Sequence, residues 1–125
     1  MRLSILPVCL LVASVCFAEV PEKKVARLWK AKCSACHGVD GRGQTETGIK
    51  LKLPDFTTAA WQQKTTDEFI RNRVTRGISE TRDGVLKEMP AFGAELKPEH
   101  LDAIVAMLRK LGGGNPEAAL TPTGN

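Results

Sequence analysis

The chain has 125 residues, a formal net charge of +4, 42% hydrophobic and 26% charged residues, four cysteines and two histidines. This length gives room for one domain, and so mild a charge without a long basic run is no argument for nucleic acid as a partner. Aromatic residues are few and tyrosine is absent, so a small core of this kind gains much from a bound cofactor.

The first stretch, "MRLSILPVCLLVASVCFA", opens with Arg2, runs apolar from Leu3 to Phe17 and ends in small residues. That pattern predicts a secretory signal peptide over residues 1–18, cut after Ala18 with Cys16 two places earlier. A membrane span needs about 20 apolar residues, and Glu19, Glu22, Lys23 and Lys24 end this run early. Lipidation at Cys16 is the weaker alternative, because Ala13, Ser14 and Val15 make a poor approach to a lipidated cysteine. Cleavage removes Cys9 and Cys16 and lowers the net charge by one through the loss of Arg2. Cys33 and Cys36 then remain.

Glu22 to Lys32 carries Val25, Leu28 and Trp29 at i, i+3, i+4 spacing, which predicts a helix with Pro21 in its first turn. Gly38, Gly41, Gly43 and Gly48 punctuate a loop up to Pro54, and "PDFTTAAW" has room for one short helix. A clearer helix spans Thr66 to Arg76: Thr65 with Glu68 makes a capping box, Phe69, Ile70 and Val74 form its apolar face, and Gly77 suits its stop. "ISETRDGVLKEMPAFGAE" reads as a loop carrying Met89. The last helix starts at Pro98, holds Leu101, Ile104, Val105, Leu108 and Leu111 at helical spacing, and ends at Gly112. Residues 112–125 read as a flexible tail with little to bury. No stretch alternates convincingly with period two. Three or four helices joined by such long loops are uncommon in a compact domain unless something organises the loops.

"KCSACHGVDG" (32–41) offers an organiser, because a cysteine pair spaced three apart serves zinc sites, thiol exchange or haem attachment. A structural zinc ion needs four ligands, and beyond Cys33, Cys36 and His37 the chain after residue 18 offers only His100. Thiol exchange places its first cysteine at a helix N-terminus after a strand, whereas Cys33 follows a helix. A Cys33–Cys36 disulfide would close a tiny loop and constrain little chain entropy. Haem attachment uses every residue of the motif: two thiols on successive helical turns meet two vinyl groups, and His37 follows to bind the iron.

A second iron ligand emerges by elimination. Met107 lies in the last helix at the edge of its apolar stripe and fits as core filler. His100, in the first turn beside Glu99 and Asp102, suits a solvated surface. Met89 sits before Pro90 between the two later helices and is the remaining donor.

The order of these pieces resembles class I cytochrome c of the small bacterial monohaem kind. Trp29 four before the first cysteine, "CSACHGVDGRG", "PDFT", a helix ending "RGI", "MPAFG" and a final helix ending "MLRKL" span Val25 to Leu111. The resemblance implies an all-α cytochrome c fold, with three to four helices and long loops around one covalently bound haem c, in a domain covering residues 19–111. It implies crossed first and last helices, His37 and Met89 on opposite faces of the iron, and a proline carbonyl accepting the other imidazole proton, for which Pro54 is the candidate. Where the family often has an aromatic residue this chain has Met107, which suits packing against Trp29. Trp61, Arg73 and Arg76 are candidates for the haem propionates, with ordinary packing or surface roles as the alternative.

No nucleophile–base pair or acidic dyad suggests substrate chemistry, so the expectation is a non-enzymatic, monomeric one-electron carrier. It would be exported to the periplasm and serve redox protein partners. Lys23, Lys24, Arg27, Lys30 and Lys32 on the first helix would steer an acidic partner or simply solubilise that face. The alternatives are a haem-based sensor, in which Met89 dissociates or never binds, and an electron-accepting subunit of a larger oxidoreductase.

Overall fold

The computed structural model describes residues 19–113, and the expected leader and all but the first two residues of the expected tail lie outside them. Six helices run in the order α1 (Glu22–Lys32), α2 (Ser34–His37), α3 (Glu46–Lys50), α4 (Ala59–Lys64), α5 (Asp67–Arg76) and α6 (Pro98–Leu111). Between α5 and α6 stand two antiparallel strands, β1 (Ile78–Arg82) and β2 (Val85–Met89), in the register Ile78↔Met89 to Arg82↔Val85. No described helix is long and apolar enough to cross a membrane.

The apolar stripes of α1 and α6 do what their spacing demands. Val25 and Trp29 from α1 and Ile104, Val105, Met107, Leu108 and Leu111 from α6 are buried in one core with Phe56, Ile70, Phe92 and Leu96. α1 packs on α6, and so does α5. Gly41 lets the loop after α2 lie against α6, since a Cβ there would stand 2.6 Å from the Leu111 side chain. Arg109 ties α6 to the α4–α5 junction: its guanidinium donates to Asp67 Oδ1 at 2.8 Å, the Gln62 carbonyl at 3.1 Å and the Thr65 carbonyl at 2.6 Å.

Three sequence expectations need correction. Residues 78–89 form a hairpin rather than a loop. Its turn is Asp83–Gly84, both with positive φ (53° and 73°), which matches the right-handed twist of paired strands. The cap of α5 is Thr66, whose hydroxyl accepts from the Phe69 N–H at 3.1 Å, so the Thr65–Glu68 box is displaced by one residue. The glycine-rich stretch from 38 to 54 contains α3, capped by Thr45, whose hydroxyl accepts from the Gly48 N–H at 2.9 Å.

Candidate haem site

α1 hands the chain to the cysteine motif almost without a break, and the motif's backbone is then fixed by partners from three directions. The buried Trp29 indole Nε1–H donates to the Gly38 carbonyl at 3.0 Å. The Thr45 hydroxyl donates to the Cys36 carbonyl at 2.6 Å, and the Gly43 N–H donates to the His37 carbonyl at 2.8 Å. Gly48 lies so close beneath that a Cβ would meet the Gly43 oxygen at 2.2 Å and the Cys36 oxygen at 2.7 Å. His37 stacks on Phe56, with ring centroids 4.9 Å apart, and Phe56 in turn contacts Trp61 at 4.6 Å.

Met89 reaches the same region from the other side of the fold. It ends β2, opposite Ile78, directly beyond Gly77. Gly77 has φ +72°, and a Cβ there would stand 2.5 Å from the Met89 carbonyl oxygen, so only glycine lets the two backbones come this close. Downstream, the Phe92 N–H donates to the Val74 carbonyl at 2.9 Å and the Gly93 N–H to the Thr75 carbonyl at 3.1 Å. The methionine segment is thereby strapped along α5.

Between these two sides lies a largely apolar cavity of about 560 Å³, lined by Cys33, Cys36, His37 and Met89 together with Trp61 and Arg73. Burial pulls the His37 imidazole down to about 4, so it is neutral near pH 7, with a nitrogen lone pair to offer. Its Nδ1 is buried without a hydrogen-bond partner. Cys33 and Cys36 are free thiols. Burial pushes Cys33 up to about 11, with Lys32 opposing and Cys36 adding to the rise; a thiol so hard to ionise is a poor exchange nucleophile. Among the described residues no three His, Cys, Asp or Glu side chains gather as a metal site. An imidazole nitrogen, a thioether sulfur and two free thiols around an apolar cavity fit a c-type haem.

Residues 21–108 match the family model for cytochrome c oxidase, cbb3-type, subunit III. The chain belongs to this family. It is a class I c-type cytochrome domain, and the group it carries is covalently bound haem c. Among curated proteins, the cytochrome is 35% identical over 92 residues to the cbb3-type cytochrome c oxidase subunit FixP of Azorhizobium caulinodans, covering 74% of this chain and 28% of that one. It is 32% identical over 89 residues to subunit CcoP of Cereibacter sphaeroides, covering 71% of this chain and 27% of that one. The chain thus spans a little over a quarter of the length of these relatives. A solved c-type cytochrome, KustC0563, superposes with a TM-score of 0.56 at 34% identity, over 69% of this chain and 94% of that one.

The cytochrome's other expected site residues divide. Pro54, Trp61 and Arg73 line the cavity, while Arg76 does not. Arg76 sits three residues beyond Arg73 on an exposed part of α5, and the cavity-side cations not expected from the sequence are Lys52, Lys64 and, carried in by the hairpin, Arg82 and Lys87. Pro54 does not accept a hydrogen bond from His37 here, because Nδ1 has no partner. The Pro54 carbonyl oxygen instead lies against Gly43, 3.4 Å from where a Cβ would stand. His100 caps α6, its Nδ1 accepting from the Lys97 N–H at 3.3 Å, and Met107 is buried in the core; neither lines the cavity.

Proposed function

We propose that this domain carries single electrons between redox proteins, with haem held by thioethers to Cys33 and Cys36 and its iron ligated by His37 and Met89. The observation that carries the reading is the one apolar cavity that all four of these side chains line. Haem supplies a one-electron ferric/ferrous couple there. The chain's residues do the rest. His37 is held neutral and offers nitrogen; Met89 offers a soft sulfur, which favours the reduced iron. Phe56, Ile70 and Leu108 wall the cavity with apolar surface, which disfavours the extra ferric charge. With His37 and Met89 both bound to the iron, no site would stay open for oxygen or peroxide, which fits transfer without substrate chemistry. The leader-like residues 1–18 support export to the periplasm, the compartment in which such attachment takes place.

The test is haem analysis with redox titration of the exported protein. The expected result is one haem per chain that survives acid–acetone extraction, is lost in Cys33→Ser/Cys36→Ser, and titrates as one reversible one-electron wave. Haem that extracts freely from the wild-type chain would contradict the attachment.

A second reading has its own support: the matched relatives are named as subunits of cbb3-type oxidases. In that reading the domain delivers electrons inside a larger oxidase assembly. Co-purification of the chain with oxidase subunits from its native membrane favours it, and isolation of the chain alone favours a free carrier.

A further inference from the structure

The Met89 side of the cavity carries a second tie to α5 besides the backbone bonds of Phe92 and Gly93. Glu80 lies on the same face of the hairpin as Ile78 and Met89, two residues along β1 from the position that pairs with Met89. Both terminal nitrogens of Arg73, in the middle of α5, donate to Glu80 Oε2 at 3.4 Å. Arg73 is itself held over the Phe69 ring at 4.9 Å, and Arg73, Glu80 and Phe69 all line the cavity. The other Glu80 oxygen accepts from Arg82 at 2.7 Å, but Arg82 is on the same strand and fastens the hairpin to nothing else. On the far edge, the Lys87 ammonium donates to the Lys52 carbonyl at 3.1 Å.

These contacts have one mechanical consequence. β1 and β2 move as a ladder, and Met89 is the last rung, so whatever fastens β1 to α5 sets how readily Met89 leaves its place. Downstream the fastening is backbone, which no side-chain change removes. Upstream it is the Arg73–Glu80 pair. We infer that Arg73 and Glu80 are positioning residues for the Met89 sulfur, acting as a tether that keeps the hairpin closed over the cavity. The inference rests on Met89 being an iron ligand. Closed and open hairpins are then two states, and an external ligand that needs the open one binds with an affinity scaled by its population.

Imidazole titration of the ferric haem-loaded protein reads that population directly. It competes with the Met89 sulfur for the sixth position: one iron–sulfur bond breaks, one iron–nitrogen bond forms, and no electron moves. Glu80→Gln and Arg73→Gln should each raise imidazole affinity about fivefold, the scale of a partly exposed ion pair. The double variant should match either single one, because both remove the same tether. Asp67→Asn, which cuts the Arg109 tie on the other side of α5, should lower the thermal midpoint and leave imidazole affinity unchanged. The weak far-red band of a methionine-ligated ferric haem separates the two ways of failing. If the wild-type protein lacks that band, the Met89 assignment falls, and this inference with it. If the band is present but Glu80→Gln and Arg73→Gln leave imidazole affinity unchanged, or shift it additively, the tether alone is overturned.

Discussion

On the His37 side of the cavity, the imidazole and both thiols lie within five residues, and the segment is fixed through its own backbone carbonyls. The carbonyls of Cys36, His37 and Gly38 each accept a hydrogen bond from Thr45, Gly43 or Trp29, and Gly48 packs beneath them without a side chain. On the Met89 side, the methionine ends a two-stranded ribbon with Leu86 52% exposed on it. Isolated two-stranded ribbons are marginal in water, so this one depends on Gly77, on two backbone bonds to α5, on the half-exposed Arg73–Glu80 pair and on the Lys87 bond to Lys52. A cavity residue inside the cysteine motif is set by short-range bonds to its own backbone, whereas one distant in sequence is set by tertiary ties that open more easily.

Two glycine substitutions sharpen that contrast most. Gly48→Ala drives a Cβ into backbone oxygens on the His37 side, and should cost on the order of 3 kcal/mol in urea unfolding and lower the yield of attached haem. Gly77→Ala combines a positive φ with a clash against Met89; about 2 kcal/mol is expected. Here haem attachment should persist while the far-red sulfur band weakens. If Gly77→Ala instead abolished attachment and kept the band, the two sides would not be independent.

Trp29→Phe keeps most of the buried ring but removes the donor to Gly38. A loss of about 1–1.5 kcal/mol follows from leaving a buried carbonyl unpaired, read as a lower thermal midpoint with Met89 ligation intact. The smallest effect concerns pH. In the haem-free chain His37 titrates near 4, below its ordinary 6.5, so unfolding takes up a proton in that window. Stability is then full above pH 6.5 and falls as pH drops toward 4. Between pH 7 and pH 6 the urea midpoint should shift by the equivalent of roughly 0.5–1 kcal/mol. With His37 bound to iron as proposed, the haem-loaded protein should lack this slope, because the lone pair that would take the proton would be engaged.

The parts of the fold legible in the sequence were those whose signals are short-range or strongly periodic. Val25 and Trp29 announce α1, Leu101 to Leu111 announce α6, and the five residues Cys33–His37 carry their own chemistry. Counting donors singled out Met89, and the structure places it at the same cavity as His37. The hairpin was not, because Ser79, Glu80, Thr81 and Arg82 put polar groups on both faces and hide the alternation. Its one clear mark was Asp83–Gly84, the dipeptide of a tight hairpin turn. Phe69 misled for a related reason: at helical spacing it reads as core, yet it is 48% exposed because it lines the cavity beneath Arg73. A cavity shaped for a large cofactor turns some apolar residues away from protein neighbours, and periodicity cannot distinguish the two destinations. Arg76, a propionate candidate with a surface role as its alternative, does not line the cavity, whereas the paired hairpin brings Arg82 there.

The central claim is that Met89 completes the iron's coordination from the far side of the fold. Redox-titrated absorbance of the exported wild-type protein beside Met89→Ala tests it most directly. The substitution should abolish the far-red sulfur band and lower the reduction potential while the thioether-bound haem remains. An unchanged spectrum and an unchanged potential would contradict it.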